Sequence, residues 1–180
     1  MTSGSRDGSR AALSSVEKLA DDHQLAAFDC GKPSLNDWLK RFALTNQKSD
    51  SARTYVVHRA VQIVGYYSLS AGAVSRDDSP ARIAKGLAKH PIGVILLARL
   101  AVDGKEKGTG LGKSLLMDAL LRALHAADAI GARAILVHAI DDEAASFYRE
   151  FGFDPSPLNS KQLMLLMKDL RATLKSLGID

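Results

Sequence analysis

A glycine-rich turn, lying between an apolar stretch and a long helical pattern, is the segment of the sequence best suited to chemistry. Its glycines, Gly108, Gly110 and Gly112, stand between two lysines. Glycine lets a backbone approach an anion closely, and the N-terminus of the following helix offers unpaired N–H groups with a partial positive charge. We therefore predict that phosphate groups bind to Lys107, Gly108, Thr109, Gly110, Leu111, Gly112 and Lys113.

Two other phosphate-binding motifs come close to this pattern, and each fails by one position. A nucleotide-binding P-loop reads G-x-x-x-x-G-K-S/T; the segment Gly112-Lys113-Ser114 supplies its end, but Lys107 stands where its first glycine belongs. A dinucleotide-binding turn reads G-x-G-x-x-G, and the glycines here are one residue too closely spaced. A loop that uses glycine only for its backbone conformation is the remaining alternative.

Length and composition favour a single globular domain. The chain has 180 residues, of which 46% are hydrophobic and 24% charged, and this is enough to bury a core without disulfides. We assign residues 14–180 to the domain and residues 1–13 to a disordered tail. Cys30 is the only cysteine, which fits a reducing cytoplasm. The histidines lack metal-ligand spacing and no apolar run could span a membrane, so we predict neither a metal site nor a membrane span.

Hydrophobic periodicity predicts alternating helices and strands, and therefore an α/β fold around a mixed sheet. Helices are predicted over residues 34–48, 80–89, 110–128 and 141–151, with a short helix at the C-terminus. Strands are predicted over residues 53–59, 61–69, 92–102, 132–138 and 162–167, and the first two form an antiparallel hairpin. Asp141 is the predicted N-cap of the fourth helix, and Gly152 follows the end of that helix.

The glycine turn resembles the Q/R-x-x-G-x-G/A turn of the GNAT family of N-acetyltransferases, with Lys107 in the slot of Gln or Arg. The aromatic run Phe147-Tyr148-Arg149-Glu150-Phe151-Gly152-Phe153 resembles the second signature of that family. Over residues 14–170 the chain is similar to the acetyltransferase toxins of bacterial type II toxin–antitoxin modules. The resemblance rests on residues 28–31, 34–39, 51–57, 66–69, 72–74, 99–103, 137–139 and 153–157.

This resemblance implies a GNAT fold, in which helices flank a mixed twisted central sheet whose strands splay apart at the acetyl-CoA site. Acetyl-CoA is the implied acetyl donor. Its pantetheine arm is expected along Leu100, Ala101 and Val102. The thioester is expected near Ala145, Phe147 and Tyr148, with Tyr148 as the general acid that protonates the departing thiolate. Packing in the core is the alternative role for Tyr148.

The resemblance also implies a substrate and partners. The substrate is the α-amino group of an aminoacyl-tRNA, whose acetylation blocks translation. A small ribbon-helix-helix antitoxin is expected to neutralise the toxin, and the toxin is expected to reach operator DNA only within the antitoxin complex. A homodimer is expected on the same basis.

A basic stripe is the feature that could contact RNA. Arg82, Lys85 and Lys89 fall at i, i+3 and i+7 of the predicted helix over residues 80–89, and the formal net charge is +4. A solvated helix face accounts for the stripe by itself. The resemblance favours contacts with the RNA backbone, made by the stripe together with Arg53 and Arg76.

Three interpretations of the function remain open on the sequence: an aminoacyl-tRNA acetylating toxin, a GNAT enzyme for a small amine or a protein N-terminus, and a non-catalytic domain that binds CoA or an antitoxin. An α-amine has a pKa of about 7.7–8.0, so part of it is neutral near pH 7 without a strong base. The lack of an evident Glu or His base therefore favours an α-amine substrate. Gly110, Gly112 and Tyr148 argue against the third interpretation, whereas Lys107 favours it.

Overall fold

The computed structural model describes residues 10–87 and 90–179. Among these residues, no helix is both long and apolar enough to cross a membrane. The helices are α1 (Pro33–Asp37), a π-helical turn (Trp38–Phe42), α2 (Ala43–Lys48), α3 (Ala81–Ala84), α4 (Leu111–Ile130), α5 (Asp142–Glu150) and α6 (Met167–Ser176). The strands are β1 (Glu17–Lys18), β2 (Arg53–Arg59), β3 (Gln62–Val74), β4 (Ile92–Val102), β5 (Ala134–His138), β6 (Asp154–Pro155) and β7 (Gln162–Leu166).

A seven-stranded mixed sheet with the order β1-β2-β3-β4-β5-β7-β6 forms the centre of the molecule. Strands β4 and β5 are parallel, and every other neighbouring pair is antiparallel. The predicted α/β class and mixed sheet are confirmed. The predicted hairpin is confirmed as well, because β2 pairs with β3 from Arg53 opposite Leu69 to Arg59 opposite Gln62.

Strand β4 changes its pairing halfway along its length. Its parallel pairing with β5 runs only from Val94 to Leu97, whereas its antiparallel pairing with β3 continues to Val102. The register with β3 shifts at this point, because Leu97 lies opposite Leu69 and Arg99 lies opposite Ser68, so Ala98 has no partner. Such a β-bulge bends and twists the strand. Beyond Leu97, β4 therefore leaves β5, as the predicted splay requires.

Apolar side chains bury both faces of the sheet. On one face, α4, α5 and α6 pack on the first cluster, which includes Leu115, Leu116 and Ile135. On the other face, α1 to α2 cover a second cluster around Phe28 and Tyr66, and α3 covers a third cluster with Ile83 and Met164. The sheet therefore lies between two helical layers, an arrangement that buries side chains on both faces of the central strands β3, β4, β5 and β7.

Two predicted helices differ from the structure. The helix predicted over residues 34–48 begins at Pro33 with Lys32 at its N-cap, and a π-helical turn interrupts it at Trp38. The helix predicted over residues 80–89 ends at Ala84, because Lys85 leaves the helical region with ψ of 128° and Gly86 has φ of +78°. Residues with such a left-handed φ end helices, which the charge pattern alone did not reveal.

The N-terminal residues that the structure describes lie against the domain. Arg10 donates to the carbonyl of Lys105 at 2.9 Å, the carbonyl of Ala11 accepts from Arg59 at 2.6 Å, and Leu13 forms an isolated bridge with Arg59. Residues 1–9 of the predicted tail lie outside the described residues.

Candidate active site

A cleft of about 430 Å³ opens where β4 separates from β5. One wall is the end of β4 with the glycine turn, and the opposite wall is the start of α5. The loop before α1 closes a third side. Its lining residues are Cys30, Lys32, Leu35, Leu100, Ala101, Val102, Glu106, Lys107, Gly108, Gly110, Leu111, Gly112, Ile140, Asp141, Glu143, Ala144, Phe147 and Tyr148. The cleft is apolar along β4 and α5, and it is polar at the turn.

The glycine turn has the backbone geometry of an anion site. Gly108 and Gly110 have φ of +78° and +84°, a region that other L residues rarely adopt. No atom lies within 4 Å of a Cβ placed on either glycine, so the space above the turn is open. Gly110 is the N-cap of the 20-residue helix α4 and has no capping side chain. The first N–H groups of α4 are thus left for a ligand.

Two buried carboxylates hold the turn in place. Asp103 accepts from the N–H groups of Asp29 at 3.0 Å and Lys105 at 2.9 Å. Glu106, whose side chain is only 2% exposed, pairs with Arg59 at 2.8 Å. Arg59 holds the pKa of Glu106 below its ordinary value, chiefly through this hydrogen bond. The turn therefore rests on a buried, ionised pair.

The opposite wall presents an aromatic group to the cleft. Asp141 caps α5 by accepting from the N–H of Ala144 at 2.8 Å, which fixes the start of that helix as the sequence predicted. About two turns later, Tyr148 is buried between Phe147 and Phe153, with ring centroids 5.3 Å and 5.5 Å away. These edge-to-face contacts fix the direction of the Tyr148 ring.

The chain matches a known enzyme family, and this match identifies the cleft. A family model described as an acetyltransferase (GNAT) domain matches residues 50–155. The chain belongs to the GNAT acetyltransferases. A tRNA-acetylating toxin of Mycobacterium tuberculosis is 47% identical over 161 residues, which cover 89% of this chain and 96% of the relative. The predicted membership of the toxin group of this family is thereby confirmed.

Solved structures extend the comparison. AtaT complexed with acetyl-methionyl-tRNAfMet has a TM-score of 0.83 and 28% identity, covering 91% of this chain and 99% of AtaT. A tyrosine-to-phenylalanine mutant of KacT has a TM-score of 0.83 and 27% identity, covering 89% and 98% of the two chains. A complex of an AtaT mutant with the C-terminus of the antitoxin AtaR and acetyl-CoA has a TM-score of 0.78 and 28% identity, covering 91% and 99%. The predicted GNAT fold is confirmed.

In this GNAT enzyme, Tyr148 has the state that a proton donor needs. Burial raises the pKa of Tyr148 well above its ordinary value, so the phenol stays protonated at neutral pH. Within the described residues no hydrogen bond engages its hydroxyl, which is not completely buried, and the side chain lines the cleft. The hydroxyl is therefore open to a ligand there.

The buried or capping carboxylates of the GNAT cleft are already engaged. Lys32 reaches across the cleft to Asp141, with Nζ 2.8 Å from Oδ2, and this bond keeps the pKa of Asp141 below its ordinary value. Glu106 is paired with Arg59. Neither group is a strong base at neutral pH, because each is held in its charged, hydrogen-bonded form.

The structure brings most of the predicted acetyl-CoA residues together. Those that line the cleft are Leu100, Ala101, Val102, Lys107, Gly108, Gly110, Leu111, Gly112, Phe147 and Tyr148. Three predicted residues lie outside its lining. Thr109 turns back to donate to the carbonyl of Glu106 at 2.6 Å, Lys113 is exposed, and Ala145 is buried in the first cluster.

Sequence reasoning missed the loop that closes the cleft. Cys30, Lys32 and Leu35 line it from a segment far away in the chain. Cys30 and Leu35 belong to residues 28–31 and 34–39, which carried part of the toxin resemblance but were given no role, and Lys32 lies between these two segments. Lys107, the departure from the family turn, lies beside this loop, since its Nζ is 3.7 Å from a Cβ placed on Gly31.

The predicted basic stripe does not form. Because α3 ends at Ala84, Arg82 and Lys85 do not share a helix face, and Lys89 lies outside the described residues. Arg82 pairs with Asp169 at 2.8 Å. The other two predicted RNA contacts also have partners: Arg53 pairs with Asp50 at 2.5 Å, and Arg76 donates to the carbonyl of Leu87. Their contact with RNA stays a prediction.

A cluster of metal-ligand type occurs away from the cleft. Glu17, His23 and His58 place potential ligand atoms within 4.8 Å of one another. The Nε2 atoms of both histidines lie 2.7 Å from Oε1 of Glu17. However, Nδ1 of His23 accepts from the N–H of Ala20 at 2.9 Å, so the proton of this ring is on Nε2. A ring that binds a metal through Nε2 carries its proton on Nδ1 instead. Hydrogen bonding to Glu17 therefore accounts for this cluster.

Proposed function

We propose that this GNAT enzyme transfers the acetyl group of acetyl-CoA to the α-amino group of an aminoacyl-tRNA. An acetylated amino group cannot attack a peptidyl ester, so the modified tRNA blocks translation. The observation that carries this proposal is the high identity, over nearly its full length, to a tRNA-acetylating toxin. The shape and charge of the cleft support it.

The residues of the cleft suit acetyl-CoA. The N-terminus of α4 with Gly108 and Gly110 would bind the pyrophosphate through backbone N–H groups, and Lys107 adds a positive charge nearby. The unpaired edge of β4 beyond Leu97 offers N–H and C=O groups to the amides of the pantetheine arm. The side chains of Leu100 and Val102 are apolar, so these two residues offer polar groups to the cleft through their backbone.

The acceptor amine needs little help from a base. Asp141 and Glu106 are engaged in ion pairs, and the third carboxylate of the cleft lining, Glu143, is exposed to solvent. We therefore expect the amine to reach the thioester largely neutral on its own. An α-amino group has a pKa of about 7.7–8.0, whereas a lysine side chain has about 10.4. Near pH 7 the neutral fraction of the α-amine is therefore about 200–400 times larger, which favours an aminoacyl group over a protein lysine.

Tyr148 acts as the general acid in this proposal. The amine nitrogen forms a bond to the acetyl carbon, the bond from that carbon to sulfur breaks, and the electron pair stays on sulfur. The phenol of Tyr148 then gives its proton to the thiolate, the ammonium proton of the product passes to water, and water returns a proton to the phenolate. The contacts with Phe147 and Phe153 hold the ring of Tyr148 in the lining of the cleft.

We further propose that an antitoxin of the ribbon-helix-helix class neutralises the enzyme and links it to operator DNA, and that the enzyme forms a homodimer. Support comes from the AtaT complexes with the antitoxin AtaR and from the AtaT–AtaR complex bound to DNA. Light scattering of the purified enzyme, alone and with its antitoxin, tests the assembly. A monomer at micromolar concentration would remove the homodimer from the proposal.

The acceptor is tested with labelled acetyl-CoA and a pool of aminoacylated tRNAs. We expect label to be retained on RNA and released with the amino acid after mild base hydrolysis of the ester bond. Uncharged tRNA and a lysine-rich protein are the controls, and neither should take up label. Transfer to the controls at the rate seen with charged tRNA would refute the proposed acceptor.

The role of Tyr148 is tested with Tyr148→Phe, which removes only the hydroxyl. We expect turnover to fall by about 10²–10⁴, the usual contribution of a general acid, while acetyl-CoA affinity is retained. Tyr55→Phe is the matched control, because Tyr55 stacks on Tyr67 in the β2–β3 ladder away from the cleft. A folded Tyr148→Phe enzyme within a few-fold of wild type would assign Tyr148 to core packing.

A further inference from the structure

Arg99 lies beside the cleft in an environment that the proposed mechanism does not use. Its guanidinium carbon is 4.4 Å from the centre of the Trp38 ring. That indole in turn stacks on Tyr66, with ring centroids 6.0 Å apart and an angle of 11° between the planes. Trp38, backed by Tyr66, therefore covers one face of the guanidinium, and the side chain of Arg99 keeps part of its surface exposed.

The charge of Arg99 is not balanced within the described residues. Residues 10–87 and 90–179 provide no carboxylate within 4 Å and no hydrogen-bond acceptor for its guanidinium. The side chain is half-buried, and this burial lowers the pKa of the guanidinium, although an arginine stays charged in a protein. Arg122, which stacks on the ring of Tyr55, does have a carboxylate partner in Asp118 at 2.8 Å. A partly desolvated cation without a counter-ion points to an anionic ligand.

The β-bulge gives Arg99 its position. Before the bulge, Ile95 and Leu97 face the first apolar cluster, and beyond it Leu100 and Val102 pack against that same cluster. Arg99 and Ala101 therefore face the α1–α2 layer, where Ala101 also lines the cleft. Two residues along a strand are about 7 Å apart. Arg99 is consequently about 7 Å along β4 from a residue that lines the cleft.

We propose that Arg99, stacked on Trp38, binds a phosphodiester of the unpaired 3′ end of the acceptor RNA. A planar guanidinium fork fits a phosphate with two parallel hydrogen bonds. Proteins bind single-stranded RNA ends by combining arginine and aromatic platforms with phosphate contacts. This inference rests on the proposed function, since the aminoacyl group of a tRNA is carried by such an end.

The test measures RNA affinity and its salt dependence by fluorescence anisotropy, with uncharged tRNA as the probe and the enzyme saturated with CoA. We expect Arg99→Gln to weaken binding about 10-fold or more. The slope of log affinity against log salt should fall by about 0.7, the value for one phosphate of a single strand. Arg99→Lys keeps the charge but loses the planar fork, so its RNA affinity should lie between those of the wild type and Arg99→Gln. Trp38→Phe keeps an aromatic ring and should retain most of the RNA affinity.

Arg171→Gln is the matched control. It removes the same charge from an arginine paired with Asp128 at 2.6 Å, near the C-terminal end of α4, which is about 25 Å from the glycine turn by helix rise. This variant should keep the wild-type salt slope. Acetyl-CoA affinity and thermal midpoint are measured for every variant, and Arg99→Gln should leave acetyl-CoA affinity unchanged.

The outcomes separate this inference from the proposed function. If the wild type acetylates aminoacyl-tRNA and Arg99→Gln keeps its RNA affinity and slope, the phosphate contact is refuted while the function stands. If Arg99→Gln loses acetyl-CoA affinity and stability with an unchanged slope, Arg99 only supports the fold and the inference fails. If Arg99→Gln escapes neutralisation by the antitoxin but binds RNA normally, the ligand is a protein carboxylate and the inference fails too. A wild type that acetylates no aminoacyl-tRNA overturns both proposals.

Discussion

Gly112→Asp places a carboxylate in the first turn of α4, on the wall of the cleft. The backbone accepts this change, because Gly112 is absent from the residues with positive φ and its added Cβ would meet only Val102 Cγ2 at an ordinary 3.8 Å. A negative charge at a helix N-terminus stabilises the helix by about 0.3–1 kcal/mol. The folded protein should therefore be at least as stable as the wild type, whereas its affinity for acetyl-CoA should fall.

The size of the loss follows from Coulomb's law. At about 5 Å, with an effective dielectric constant between about 20 and 80, the repulsion is about 1–3 kcal/mol for each phosphate charge. Two charges on the pyrophosphate give at least about 2 kcal/mol, which corresponds to a loss in affinity of at least about 30-fold. Higher salt should reduce the loss, because the turn is open to solvent.

Isothermal titration with acetyl-CoA measures this loss directly. Ser114→Asp is the matched control, because Ser114 belongs to the same helical turn but lines the separate cavity beside residues 13–16. It adds the same charge and should change the affinity far less. A Gly112→Asp protein that is folded and binds within about 3-fold of wild type would show that the pyrophosphate does not lie on this turn.

Three further results are expected for stability. Leu115→Ala removes a side chain with no exposed surface, so we expect the free energy of unfolding in urea to fall by about 2–5 kcal/mol; a smaller loss would mean that the site collapses. Arg59→Met leaves the buried carboxylate of Glu106 without its nearest partner, so we expect a lower urea midpoint, which adding Glu106→Gln should partly restore; an additive loss would contradict the pairing. Hydrogen bonds from two histidines lower the pKa of Glu17, so its contribution to stability is complete above pH 4.5 and is lost as pH falls through the lowered pKa; Glu17→Gln should flatten this dependence in urea melts.

The parts of the fold that could be predicted are those in which the signal is local. The strand Ile92–Val102 is apolar apart from Arg99, and the cap of α5 is an aspartate directly before a helical stripe. The glycine turn carries its own conformational signal, because Gly108 and Gly110 need positive φ. Each of these features is set by residues within one element, so spacing and residue type were sufficient.

The parts that could not be predicted depend on distant contacts. Lys32 enters the cleft only because the chain brings it to Asp141, 109 residues later. In the sequence, Glu106 cannot be told from a surface charge. It can be buried because Arg59 at the end of β2 pairs with it. The sequence predicts a longer α3, because the charge spacing fits a helix. The helix ends earlier, because Gly86 takes a left-handed conformation. Pairwise contacts of this kind leave no periodic trace in the sequence.

The unpaired Ala98 of the β-bulge makes the cleft sensitive to chain length rather than to side-chain identity. Substituting Ala98 changes one side chain and leaves the ladder as it is. Deleting it would restore one-to-one pairing with β3, and Leu100 and Val102 would keep their present face, because Arg99 would then alternate regularly with Leu97. The bend that the bulge gives to β4 would be lost, however. A straightened β4 would continue its pairing with β5 beyond Leu97 and close the edge that the cleft exposes. Natural or engineered variation in this enzyme can therefore exchange residues along β4, but it cannot shorten the strand by one codon and keep the cleft.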